Sequence, residues 1–326
     1  MRQSLFATLL VVLLLVSLVG FTNVNLAASE MSPACEAGRQ RQIALNVQDK
    51  EGKFVSTLTS ADLTLTVDNS PAEILNFEMK QDQPLSVVLL VDTSVSQDGA
   101  LGHTILGAQK FIEWHLKSKK DQAALVTFSG DAVVEQELTD DWPRLRGALT
   151  KINIDRPPDY LMGGVGRTPP IHPRKQGLTF MWNAVWASTD GILKSVNNSR
   201  RVMIVFSDGE DSSSVEKMRD TIQFAAVNDV AVFGIGITTR KYYLFGRTNL
   251  TDLSEHTGGR AFFLKKVQDL PGFFSKIDQS ARSHYFLTYC AAAKASSDAP
   301  SKVKIEIQNR ELRQSDLRLL YPRYRS

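Results

Sequence analysis

Two short stretches set oxygen-bearing side chains where apolar runs stop, and a third sets one at the start of a helical pattern. Asp92-Thr93-Ser94-Val95-Ser96 follows the run Ser86–Val91, and Ser207-Asp208-Gly209-Glu210-Asp211 follows Arg201–Phe206. Between them, Thr179 stands just ahead of a helical pattern that begins at Phe180. Asp92, Ser94, Ser96, Thr179 and Asp208 together offer two carboxylates and three hydroxyls, a set that suits a hard divalent cation. Mg²⁺ takes oxygen ligands in an octahedron at about 2.0–2.1 Å and keeps several waters. Alternate residues leaving a strand point to one side, so Asp92, Ser94 and Ser96 can face a single ion. Two carboxylates neutralise a divalent ion poorly, and neutral hydroxyls keep it electrophilic. Such a site is better suited to holding a carboxylate from outside than to storing metal.

The elements that position these residues show in the rhythm of the chain. Ser86–Val91 is a continuous apolar run, as expected of a strand covered on both faces of a parallel sheet. Further strands are expected at Ala123–Phe128, Ala132–Leu138 (pairing back as a hairpin), Arg201–Phe206, Val230–Ile237 and Arg260–Leu264. Helical patterns alternate with them around 100–118 and at Asp141–Ile152, Phe180–Val196, Val215–Val227, Leu250–Thr257 and Leu270–Ala281. That alternation predicts a doubly wound α/β domain with a mostly parallel sheet over 83–281, whose ligands sit at the carboxyl ends of the strands. Residues 36–82 read as N-terminal strands with period-2 alternation (Gln42–Val47, Leu63–Val67, Ile74–Phe77) between turn clusters. Residues 282–326 hold three more strands, Tyr285–Tyr289, Val303–Ile307 and Leu317–Leu320. The two flanks are expected to form one small β-module into which the α/β domain is inserted.

Each residue has a plainer reading. Asp, Ser and Thr cap helices, so Ser96 or Thr179 could serve only as N-caps. Glu210, Asp211 and Asp98 read as first-turn acids of the helices that follow. For five such residues at three element ends the shared site is the better account. Enzyme patterns are weak. Asp92-Thr93-Ser94 superficially resembles the haloacid-dehalogenase phosphatase motif, which needs a second Asp where Ser94 stands. Gly234-Ile235-Gly236 lies inside a strand and lacks the rest of a phosphate-binding fingerprint. His103, His115, His172, His256 and His284 form no His-Glu-x-x-His pair, and Ser129 and Ser207 have no evident base beside them in the sequence.

The order Asp92-x-Ser94-x-Ser96, then Thr179 before a helix, then Asp208 after an apolar strand resembles the metal-ion-dependent adhesion site (MIDAS) of von Willebrand factor type A (VWA) domains. The resemblance covers about residues 83–281, and the flanking strands resemble those of a group of exported bacterial proteins with this domain at the centre. It implies a Rossmann-like fold and a Mg²⁺ or Mn²⁺ ion held by Asp92, Ser94, Ser96, Thr179 and Asp208. One coordination position would be left for the acidic residue of a protein partner, and no catalysis is implied. The chain departs from the family at Val95, where Gly is frequent, and in the long irregular approach to Thr179. A scaffold that associates without metal is the alternative function, and a metal-dependent hydrolase the third.

That approach, Asn153–Gln176, contains five prolines and three glycines. Long loops in compact domains tend to be functional. Arg156, Arg167, His172, Arg174 and Lys175 would give it a positive charge that favours acidic partners; the alternative is a tolerated insertion.

The remaining features set the context. Met1 and Arg2 precede an uncharged apolar run, and small residues follow at Ala27-Ala28-Ser29, so 1–29 reads as a secretory signal peptide. If uncleaved, the segment would be a membrane anchor, since about 20 apolar residues span a bilayer. Either way the protein is expected to be exported, periplasmic or extracellular. In an oxidising compartment Cys35 and Cys290 can pair; two unrelated thiols are the alternative. A chain of 326 residues with 43% hydrophobic and 22% charged residues is neither disordered nor fibrous. A net charge of +3 argues against electrostatic nucleic-acid binding. Two cysteines exclude a disulfide-dense scaffold and a four-thiolate zinc site.

Overall fold

A computed structural model describes residues 35, 39–116, 120–156, 178–197, 199–237, 244–291 and 301–323. The strands are β1 (Gln40–Gln48), β2 (Leu63–Val67), β3 (Ser70–Ala72), β4 (Ile74–Lys80), β5 (Leu85–Asp92), β6 (Gln122–Phe128) and β7 (Ala132–Thr139). They continue with β8 (Arg200–Ser207), β9 (Val230–Gly236), β10 (Ala261–Phe263), β11 (His284–Cys290), β12 (Val303–Ile307) and β13 (Arg318–Leu320). The helices are α1 (Leu101–His115), α2 (Trp142–Leu149), α3 (Met181–Ser188), α4 (Met218–Val227), α5 (Leu244–His256), α6 (Leu270–Arg282) and the single turn α7 (Arg310–Arg313).

Every residue of β5 is buried, which is why its sequence does not alternate. It lies inside a six-stranded sheet of order β10-β9-β8-β5-β6-β7, in which β7 runs antiparallel to the rest. Val87, Leu89 and Val91 pack on one side with Phe111 of α1, Leu145 of α2 and Phe274 of α6. Val88 and Leu90 pack on the other with Val185 of α3, Ile222 of α4 and Leu253 of α5. The chain leaves β5 for β6 on one side and later takes up β8 on the other. The strand order therefore reverses at β5, and the crevice of a doubly wound sheet opens at its carboxyl end, at Asp92.

The flanking strands pair across the insertion. One sheet has the order β13-β1-β11-β4 and a second β12-β2-β3. They share a core of Leu45, Leu65, Tyr285, Leu287 and Ile305, with the Tyr285 ring stacked on Phe77 at 4.6 Å. The expected β-module is thus two small sheets face to face. The single helix expected over Phe180–Val196 is α3 followed by a wider π turn, Thr189–Leu193. There the Thr189 hydroxyl bonds the Val185 carbonyl at 2.8 Å, and Lys194 N–H reaches back five residues to the Thr189 carbonyl. Helix α5 begins six residues before the expected Leu250, because its first turn carries exposed Leu244 and Phe245 and shows no buried stripe.

The expected signal segment 1–29 lies outside the described residues, as do Arg167, His172, Arg174 and Lys175. Among the described residues no helix is long and apolar enough to cross a membrane. Neither cysteine is free: Cys35 and Cys290 are both disulfide-bonded.

Candidate functional site

Asp92 ends β5 with its side chain 1% exposed. Its Oδ1 accepts the Ser94 N–H at 2.9 Å and its Oδ2 the Ser207 hydroxyl at 2.7 Å. Thr93 turns the other way, its N–H and hydroxyl both donating to the Phe128 carbonyl at 2.8 and 3.1 Å. Alternation along the loop therefore leaves Ser94 and Ser96 on one side, with their hydroxyls 3.0 Å apart. The capping alternative does not hold for these residues. Ser94 precedes a 3₁₀ turn at Val95–Gln97, but its side chain makes no cap bond, and the N-cap of α1 is Ala100.

Asp208 follows β8 and is fully buried. Its Oδ1 accepts the Glu210 N–H at 3.2 Å, while Oδ2 is buried with no hydrogen-bond partner among the described residues. Burial first, and the nearby Asp208 charge second, push the Asp92 carboxyl up to about 7. Two buried carboxylates side by side are costly without a cation or a proton between them.

Thr179 is brought to the same rim through its backbone. Its N–H donates to the Ser212 hydroxyl and its carbonyl accepts the Ser212 N–H, both at 2.9 Å. Phe180 N–H meanwhile donates to the Ser129 carbonyl at 2.9 Å, just past the end of β6. Thr179 thus lies between the ends of β6 and β8, and Phe180 holds the N-cap position of α3. Asp92, Ser94 and Ser96 are joined by direct bonds and Asp208 by its charge on Asp92, whereas Thr179 is linked by main chain.

Several residues that build the rim are not legible as site residues in the sequence. Ser207 bridges the two acidic loops, its hydroxyl donating to Asp92 and accepting the Gly209 N–H at 2.9 Å. Asn249 of α5 holds the Gly209 carbonyl at 2.9 Å. Only the adjacency of Ser207 to Asp208 could have flagged the first, and nothing local flags the second. Asp211 does not start the following helix, as expected, but caps α3 by accepting the Trp182 N–H at 3.2 Å and the Ser214 hydroxyl at 2.6 Å. Asp98 likewise sits in the turn before α1 and pairs with Arg156 at 2.5 Å, which fixes that basic residue beside the Asp92–Ser96 loop. Ser129 does have an acidic neighbour, donating to Asp155 at 2.6 Å. Beside the rim, Val215, Leu244 and Phe245 are exposed apolar side chains, Phe245 to 87%.

Among the described residues no group of three or more His, Cys, Asp and Glu side chains is gathered for a metal. A cation here would rest on two carboxylates plus hydroxyls, and the unpartnered Asp208 oxygen fits that role.

The profile of the von Willebrand factor type A domain matches residues 86–276. No curated protein matches the chain. Similar solved structures include the conserved hypothetical protein BatB from Bacteroides thetaiotaomicron, at 16% identity and TM-score 0.45, covering 60% of this chain and 98% of that one. A von Willebrand factor type A protein from Catenulispora acidiphila is similar at 12% identity and TM-score 0.46, covering 79% and 72%. Proximal thread matrix protein 1 from the mussel byssus, described with a zinc-occupied MIDAS motif, is similar at 14% identity and TM-score 0.46, covering 64% and 49%.

Proposed function

This chain belongs to the von Willebrand factor type A family, and on that premise we propose that it is an exported, non-catalytic binding protein that takes an acidic residue of a protein partner through a divalent cation. Asp92, Ser94, Ser96, Thr179 and Asp208 would hold Mg²⁺, or Mn²⁺, whose oxygen preference matches theirs. When bound, the ion supplies a Lewis-acidic position for an outside carboxylate. The chain's own part is to hold the two acidic loops together through Ser207 and to keep water from the carboxylates by burial. The observation that carries this reading is the pair of buried, adjacent carboxylates with one unpartnered oxygen on Asp208.

Partner contacts would spread from the rim onto Phe245, Leu244 and Val215, and onto Arg156 with the basic residues Arg167, His172, Arg174 and Lys175 of the preceding stretch. We read 1–29 as a signal peptide and place the boundaries at 36–82, 83–281 and 282–326, with a periplasmic or extracellular destination and Cys35 paired to Cys290. No catalytic step is assigned. The Ser129 and Ser207 hydroxyls donate to Asp155 and Asp92 rather than to a histidine base.

The test is a pull-down from the periplasmic or extracellular fraction with Mg²⁺ and with EDTA, alongside Asp92→Ala. Capture that needs Mg²⁺ and Asp92 supports the reading. Capture indifferent to both points to a metal-independent scaffold, and turnover lost with Asp92 or Asp208 would point to a hydrolase.

A further inference from the structure

A second concave site lies where the C-terminal strand meets the α/β body. A cavity of about 420 Å³ is lined by Lys50 of the turn after β1, by Arg260 ahead of β10, and by Arg318 and Arg323 in and after β13, with Asp49 and Asp316 also on its wall. Arg260 approaches the edge strand β10 from its amino end, whereas Asp92 closes the carboxyl end of β5. The tail is fastened there by main chain: Arg323 N–H donates to the His256 carbonyl at 2.8 Å, and Thr257 pairs with Pro322.

Four cationic side chains face two anionic ones across this cavity, and among the described residues neither Arg260 nor Arg318 has a carboxylate within ion-pair distance. Asp49 is already engaged, its Oδ1 accepting the Lys53 N–H at 2.8 Å. The Arg260 guanidinium lies 5.3 Å from the Phe262 ring centre, and that of Arg323 lies 5.2 Å from the Tyr321 ring centre. Stacking against rings orients such groups at low entropic cost and leaves their N–H edges to bond. Burial first, and the Arg318 charge second, hold Arg260 below its usual value. Several guanidiniums gathered around one concavity with no carboxylate bridging them match a planar-forked recognition of a multiply charged oxyanion.

We propose that this cavity binds a phosphoryl group, bridged by Arg260 on one side and by Arg318 and Arg323 on the other, and so braces the C-terminal strand against the α/β body. Lys50 is paired with Glu51 at 3.6 Å, so the three guanidiniums carry the site, and their forked donors match the three terminal oxygens of a phosphoryl group better than the two of a carboxylate. The phosphoryl group could be carried by a soluble molecule or by a lipid headgroup. The site is independent of the metal reading.

The test uses the full chain in EDTA, so that no metal–phosphate contact at Asp92 contributes. Inorganic phosphate is titrated against sodium chloride at matched ionic strength, with melting temperature and calorimetry as readouts. Vesicles containing phosphatidic acid form a second arm. Arg318→Gln and Arg323→Gln change exposed side chains, and an unchanged melting temperature in chloride checks that each variant folds. The parent is expected to respond to phosphate beyond chloride, and each variant to bind about tenfold more weakly or worse. A response to phosphate, alone or with vesicle capture, assigns a soluble ligand. Vesicle capture without a phosphate response, lost in both variants, assigns a lipid headgroup. Equal behaviour of parent and variants, or no response to either probe beyond chloride, overturns the proposal.

Discussion

Gly246 and Asp208 meet backbone to backbone: a Cβ built at Gly246 would overlap the Asp208 carbonyl oxygen. The first turn of α5 therefore backs the acidic loop, and Gly209, at φ +79°, completes the fit. Gly246→Ala should push the Asp208 loop off its seat. The expected cost is about 1–3 kcal/mol of stability, as for overpacking elsewhere, together with loss of metal binding. Urea unfolding and Mg²⁺ titration of the variant check both.

A divalent ion that binds only the folded chain must stabilise it. At a concentration about 100 times its Kd, Mg²⁺ should add about 2.7 kcal/mol, and Asp208→Ala should abolish the gain. Differential scanning calorimetry with Mg²⁺ or EDTA decides this, and an equal response in the variant would sink the metal assignment.

The proton on Asp92 competes with that ion. With its value raised from 3.8 to about 7, the carboxyl keeps its proton in the folded chain where the unfolded chain has lost it. Its contribution to the metal-free fold is complete below pH about 4 and is lost as pH rises through about 7. Mg²⁺ affinity should therefore strengthen as pH climbs from 6 to 8, with proton release on binding. Calorimetry in two buffers of different ionisation enthalpy measures the released proton directly.

His284, 2% exposed, stands beside Phe286, and neither ring nitrogen has a hydrogen-bond partner among the described residues. Burial, then the charges of Arg200 and Lys80, lower it from 6.5 to about 3. A depressed base leaves full stability above pH 6.5 and loses it as pH falls toward 3, because only the unfolded chain takes up the proton. His284→Phe should extend the folded range to lower pH with little change at pH 8, read by circular dichroism across an acid titration.

Arg282 closes α6 by bonding Asp121 through two nitrogens, at 3.1 and 2.9 Å, and by donating to the Gln83 and His115 carbonyls. Asp121 is fully buried and also accepts the Leu85 N–H at 2.9 Å. Arg282→Met would remove the countercharge and two hydrogen bonds from that buried carboxylate, at a cost of about 3–5 kcal/mol. Adding Asp121→Asn should recover part of the loss; denaturant midpoints of the single and double variants test the pair.

Much of the architecture is legible in the chain because its cause is local. The unbroken run Ser86–Val91 announces a strand covered on both sides, and Leu63–Val67 announces one whose faces differ. Gln42–Val47 alternates in sequence, yet β1 is buried on both faces from Ile43 to Gln48, because strands on either side and the end of α6 cover it. The candidate site is legible for a different reason: Asp92, Ser94, Ser96 and Asp208 each stand where an apolar strand ends. What the chain does not show depends on distant neighbours. Gly246 matters because Asp208 lies against it. Asp211 caps a helix some thirty residues earlier in the chain because the Asp208 loop folds back over α3. The β-module forms two sheets because Leu45 and Leu65, on different strands, must cover one another.

The pairing order of the flanks bears on when the molecule can assemble as it is made. β1 lies between β11 and β13, and β4 beside β11, so their partners follow the whole α/β body in the chain. β4 has a bare edge until β11 has been made, and β1 until both β11 and β13 have been, the condition that invites wrong strand pairing. The inserted body, whose sheet closes among its own strands, has no such wait; it can fold first and, through its adjacent ends at Lys80 and His284, hold the late strands in register for the early ones.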